Sequence, residues 1–254
     1  MKLRVLGSSG GIGGNLRTTS YLIDDDILID AGTGVGELTL EEMTRIRHVF
    51  LTHTHLDHIA CLPLMVDSMF PSIKSPITIH AQATTIAVLK EHIFNWHVWP
   101  DFSTLPSDVN PVMQYEIQEP GEVCEVDGRR FEMIAVNHIV PTVGFRIETE
   151  TGVIAFSGDT TTNDNFWERL NTYERLDHLI VEVAFVNALE DLSLKSRHYC
   201  PTLLAQDLEK LRHRPHVYLT HNKPAVEADI LAECRAAITD RELQPLTGGM
   251  IIEV

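Results

Sequence analysis

The sequence predicts an α/β (α+β) chain built as a four-layer αββα sandwich, with two sheets face to face and helices outside. Three observations predict it. Apolar hairpins occur twice, and each ends in an acidic, glycine-containing loop. A helical segment and another apolar strand follow each hairpin. Three histidines and an aspartate crowd into six residues where one of those strands ends.

Taken in order, Met1 to Leu6 reads directly as a strand. Ser20 to Ile23 passes the acidic turn Asp24-Asp25-Asp26 into Ile27 to Ile29 and reaches Asp30-Ala31-Gly32. A helix is expected over Leu38 to Ile46, where Thr39 and Glu42 have the spacing of a capping box, and then the strand His48 to Leu51. Helices follow over Leu62 to Met69 and Thr84 to Phe94. Asn95 to Glu119, with three prolines and two tryptophans, resists regular assignment and has the length of a lid, binding wall or subunit contact.

The second half repeats the pattern. Gly144 to Ile147 and Val153 to Phe156 form the hairpin, Ser157-Gly158-Asp159 the loop, Asn165 to Tyr173 the helix and Leu179 to Val181 the strand. Thr202 to Arg212 and Val226 to Ile238 read as helices, each with a proline near its start, and Val217 to Leu219 as a strand running into Thr220-His221. No linker or low-complexity stretch divides the chain, so residues 1–254 are expected to form a single domain.

Composition narrows the function classes. The 254 residues are 44% hydrophobic, enough for a substantial core, and no apolar run approaches the ~20 residues of a membrane span. The absence of a signal-peptide pattern at the N-terminus makes a cytoplasmic protein the expectation. Cys61, Cys124, Cys200 and Cys234 form no CxxC pair, which argues against a disulfide framework and a thiolate zinc knuckle and for reduced, mostly buried thiols. A net charge of −16 repels polyanions, so large nucleic acids are disfavoured as partners.

The cluster is His53-Thr54-His55-Leu56-Asp57-His58. In extended geometry His53 and His55 point to one side and can share a metal, while Asp57 and His58, after the turn, face a neighbouring position. Ordinary polar residues opening a helix have no reason to take this HxHxDH spacing.

With the Asp30-Ala31-Gly32 turn and the paired hairpins, the cluster resembles the signature of the metallo-β-lactamase superfamily across essentially the whole chain. The resemblance implies a dinuclear site with three more ligands at strand ends. His138 resembles the third ligand of the first metal, Asp159 the bridging carboxylate, and His221 the last ligand of the second metal. Seven ligands without thiolate favour two zinc ions, and manganese or iron would be accepted by the same donors. Asp159 stands where some zinc β-lactamases use Cys, and His55 where the flavodiiron branch uses Glu. His48, His80, His92, His97, His178, His213 and His216 match no motif position and read as surface or packing residues.

Two metals that acidify a bridging water and clamp an anion suit phosphodiesters as well as thioesters and lactones. His53 to Ser68 resembles the class II cyclic-nucleotide phosphodiesterase signature, although Cys61 stands where that signature has Gly. Asn95 to Phe102 is similar to an aromatic and proline segment of the same family, and its two indoles could stack on a base or simply pack the loop. Glu182 and His198 resemble the pair that serves near the leaving group in the phosphodiesterase and tRNA 3′-processing ribonuclease branch, and with Asp57 they make the expected catalytic set. The leading expectation is hydrolysis of a 3′,5′-cyclic nucleotide, a small-molecule phosphodiester. The alternatives are a tRNA 3′-processing endonuclease, whose N-terminal pattern is similar to Leu6 to Gly11, and a thioester or lactone hydrolase. Family resemblance and the apolar loop suggest a homodimer.

Overall fold

The structure, a computed structural model, describes residues 1–254. The chain opens with β1 (Lys2–Gly7) and the hairpin β2 (Ser20–Ile23) and β3 (Ile27–Ile29). Then come α1 (Leu40–Met43), β4 (His48–Phe50), α2 (Leu56–Ile59), α3 (Leu62–Met69), β5 (Ile77–Ala81) and α4 (Ala83–Val88). After β6 (Met113–Ile117), the second half runs through β7 (Val123–Val126), β8 (Arg129–Ala135), β9 (Val143–Glu148), β10 (Val153–Phe156) and α5 (Asn165–Asn171). It closes with β11 (His178–Glu182), α6 (Glu190–Ser196), α7 (Pro201–Leu208), β12 (His216–Thr220), α8 (Glu227–Ala237), β13 (Leu243–Pro245) and β14 (Ile251–Glu253).

Two seven-stranded sheets result, in the orders β14-β1-β2-β3-β4-β5-β6 and β7-β8-β9-β10-β11-β12-β13. The pattern repeated in the two halves of the sequence is the outline of these sheets. In the first, β1, β2 and β3 are antiparallel and β3 to β6 parallel; in the second, β8, β9 and β10 are antiparallel and β10 to β13 parallel. β14 returns from the end of the chain to pair with β1, as β7 pairs with β8.

Side-chain alternation assigns each strand residue to a layer. Tyr21, Phe50, Phe131, Phe145 and Phe156 fill the core between the sheets, whereas Leu22 and Val49 join a second core under α3, and Ala155 and Leu179 a third under α5 and α7. Three separate cores are what the three interfaces of an αββα sandwich require, and the expected fold class is the observed one.

Differences from the expected elements have local causes. The Thr39 capping box forms, with Glu42 N–H donating to Thr39 Oγ1 at 3.2 Å and Thr39 N–H to Glu42 Oε2 at 2.8 Å, but the helix lasts one turn. The segment over Thr84 to Phe94 starts as α4 and widens to π-helix over Leu89–Ile93. Asn95 to Glu119 is only partly irregular. Asn95 Oδ1 accepts from His97 and Val98 N–H and so diverts the chain from helix, while β6 within the segment adds an edge strand beside β5.

Candidate metal centre

Residues with metal-binding side chains follow the C-terminal ends of β4, β8, β10 and β12, which all open on one rim of the sandwich. The chain must turn sharply there. Gly158 takes φ +61 immediately before Asp159, and a Cβ on it would meet the Val143 carbonyl at 2.6 Å. Gly32 packs so closely that a Cβ would lie 2.2 Å from the Asp57 carbonyl oxygen.

The rim brings together all seven residues singled out as ligands. Donor atoms of His53, His55, His138 and Asp159 lie within 4.8 Å of one another, as do those of Asp57, His58, Asp159 and His221, so Asp159 belongs to both groups. Its Oδ2 is 3.7 Å from His53 Nε2 and 3.3 Å from His58 Nε2, and its Oδ1 is 3.3 Å from His221 Nδ1. His53, His58, His138, Asp159 and His221 are buried; His55 and Asp57 are the partly exposed members, so the cluster opens on their side.

The chemistry of these atoms fits bound cations. His53 and His58 Nε2, both ring nitrogens of His221 and Asp159 Oδ2 are buried without a hydrogen-bond partner, a costly arrangement unless something positive sits among them. Burial pushes His138 down to about 4 and His221 down to about 3, which keeps them neutral, the form that ligates metal. Burial opposes ionisation of Asp159, but the positive charge of His58, whose pKa Asp159 and Asp30 raise well above the usual imidazole value against its own burial, outweighs it and holds the Asp159 carboxyl well below the usual range.

Outer hydrogen bonds fix the rings. Asp30, fully buried, accepts from Thr52 N–H at 2.8 Å through Oδ1, and from Thr52 Oγ1 at 2.8 Å and His58 Nδ1 at 2.7 Å through Oδ2. Thr52 Oγ1 in turn accepts from His53 Nδ1 at 2.9 Å, and the Arg197 carbonyl accepts from His138 Nδ1 at 2.9 Å. Each contact leaves Nε2 free to face the cluster. Sequence reasoning read Asp30 only as part of a turn and missed Thr52 and Arg197. What marks Asp30, a non-glycine residue at φ +56 in a tight turn, is visible only in the folded backbone.

Of the expected catalytic set, Asp57 stands in the second group of donors. His198 and Glu182 sit beside both groups and belong to neither. The Glu182 carboxylate accepts from His198 Nδ1 at 2.8 Å, Thr160 N–H at 2.9 Å and Tyr199 N–H at 3.2 Å. The His198 ring lies 5.2 Å from that of His221, nearly parallel, and 4.9 Å from that of His138. Burial works against protonating His198, yet Glu182 prevails and holds its pKa above the ordinary imidazole value. Trp96 of the aromatic segment is 61% exposed, whereas Trp99 packs against the first-sheet core. A cavity of about 670 Å³ lies next to the rim, with Ser9, Arg17 and Asn222 in its walls, and contains none of the seven donors.

Comparison with known proteins agrees with this architecture. A probable 3′,5′-cyclic-nucleotide phosphodiesterase of Yersinia pestis is 30% identical over 81% of this chain and 71% of its own length. A ribonuclease BN of Proteus mirabilis is 22% identical over 96% of this chain and 97% of its own. The crystal structure of unliganded yeast PDE1 superposes with a TM-score of 0.83 at 18% identity, covering 98% of each chain, and shares the fold. The family model described as the beta-lactamase superfamily domain matches residues 25–222, and with its paired sheets and histidine-rich rim the chain belongs to that superfamily, as a hydrolase of the metallo-β-lactamase fold.

Proposed function

We propose that this protein hydrolyses 3′,5′-cyclic nucleotides at a dinuclear centre, with His53, His55 and His138 at one position, Asp57, His58 and His221 at the other and Asp159 shared. The observation that carries the phosphodiester chemistry is His198, clamped by a fully buried Glu182 against the rim and outside both donor groups. The phosphodiesterase relative supports the substrate class.

Two divalent ions in these groups, zinc by the nitrogen and oxygen donors, would acidify a water and neutralise the charge of a phosphodiester. The residues do the rest. With Nδ1–H bound to Glu182 and a raised pKa, His198 carries a proton on Nε2 and gives it to the departing ribose oxygen. Asp57, whose side chain is 28% exposed, would help hold an ion in the second group and take up the proton of the attacking water on the open side of the rim. The ribonuclease BN relative favours a second reading, action on a tRNA 3′ end, but a chain of net charge −16 is poorly suited to grip tRNA.

Turnover of 3′,5′-cyclic AMP beside a tRNA precursor with a 3′ trailer, a lactone and a thioester decides among these classes. Cyclic nucleotide hydrolysis is the expected result, and processing of the precursor without it would overturn the proposal. His198→Ala should lower kcat by roughly 10²- to 10⁴-fold with both metals retained. Metal loss from that variant would make His198 a ligand instead of a proton donor.

A further inference from the structure

We infer that a third, separate metal site joins the two sheets at one edge of the sandwich, formed by His80, Glu116 and Cys124. His80 lies on β5, Glu116 directly opposite it on β6, the edge strand of the first sheet, and Cys124 on β7, the edge strand of the second. None of the three belongs to the donor groups of the rim.

Geometry carries the inference. The donor atoms of the three residues lie within 4.8 Å of one another. His80 Nδ1 is 3.8 Å from Cys124 Sγ and 3.8 Å from Glu116 Oε2. Tetrahedral zinc with ordinary bond lengths sets nitrogen and sulfur about 3.6 Å apart and nitrogen and oxygen about 3.4 Å apart. The observed separations therefore close onto an ion with side-chain movements of a few tenths of an ångström.

The ring of His80 is already fixed. It is 1% exposed, stacks on Phe50 at 4.2 Å between centroids, and has its Nε2 2.9 Å from His48 Nδ1. When His80 donates from Nε2 to His48, its Nδ1 presents a lone pair to Cys124 and Glu116, the outer contact that commonly orients a ligating histidine. Burial pushes His80 down to about 4, so the ring is neutral as a ligand must be. Burial likewise raises the Cys124 thiol, so the ion must displace its proton: thiol plus divalent ion gives bound thiolate and one released proton. Three protein donors leave the fourth position to water, and one thiolate with one imidazole selects zinc or a similar borderline ion. Glu116, 58% exposed, leaves the site open to entry from solvent.

The test loads metal-free full-length chain with Zn²⁺ or Co²⁺ and counts bound ions after dialysis. Wild type should hold three equivalents and Cys124→Ser two, with cyclic-nucleotide turnover unchanged in the variant. Cobalt should give wild type and Cys61→Ser, but not Cys124→Ser, a near-ultraviolet thiolate-to-cobalt absorption. Glu116→Gln, an exposed and structurally mild change, should weaken the third equivalent alone. Two equivalents in wild type, or a thiolate absorption that survives Cys124→Ser, would overturn the site.

Discussion

Asp30 holds two imidazoles through one carboxylate: His58 directly, and His53 through Thr52. An amide in its place would turn a nitrogen donor toward His58 or Thr52. His58 would then have to accept at Nδ1 and move its own proton to Nε2, the atom that faces the rim. Asp30→Asn should accordingly weaken metal at the Asp57, His58 and His221 position by roughly 10- to 100-fold, and less at the other, which Asp30 reaches only through Thr52. Asp159→Ala should empty both, since its two oxygens reach both groups. Chelator competition with metal analysis separates the two outcomes, and equal loss from both variants would deny Asp30 its selective role. The contrast also marks what the sequence discloses at this scale. His53 to His58 is legible because six adjacent residues carry the pattern, and His138, Asp159 and His221 because strand ends flank them. The partners of Asp30 stand 22 and 28 residues away, where no spacing announces them.

Among the elements, the hairpins were readable because turn chemistry and apolar runs agree locally: Asp24 and Gly152 mark turns between strands buried along nearly their whole length. The edge strands β6, β7, β13 and β14 were not, because they are short and exposed on much of their surface, so their hydrophobic pattern is weak. One ion pair ties the first hairpin to the strand beside such an edge. Arg129, at the start of β8, reaches the turn between β2 and β3, its Nη1 and Nη2 donating to Asp26 at 2.6 and 2.8 Å and its Nη1 to Asp24 at 3.1 Å. Its side chain is 10% exposed, so the pair is shielded more than a surface bridge. Arg129→Met keeps the apolar stem and strands two carboxylates, which should cost about 1–2 kcal/mol. Urea unfolding would show it as a lower midpoint with an unchanged slope and full metal content. A changed slope would instead indicate altered compactness.

Across the whole molecule, the rim joins the two halves of the repeat. His53, His55, Asp57 and His58 come from the half containing the first hairpin, and His138, Asp159 and His221 from the half containing the second. Without cations, their unpartnered buried atoms and flanking carboxylates oppose close packing of the halves, so bound metal should act as part of the fold. The acidic surface helps by raising the local concentration of cations. An ion present at 100 times its Kd stabilises by about 2.7 kcal/mol. For a chain of this size, each kcal/mol moves the midpoint by roughly 2–4 °C. Chelation should therefore lower Tm by on the order of 5–10 °C for each position emptied, and zinc should restore it. The measurement belongs in Cys124→Ser, so that the edge cluster makes no contribution. Added Asp159→Ala should abolish the response to chelator, because its rim has already lost the ions. A Tm indifferent to chelation in Cys124→Ser would mean that the sheets hold together on their apolar cores alone, and that the rim binds metal only for chemistry.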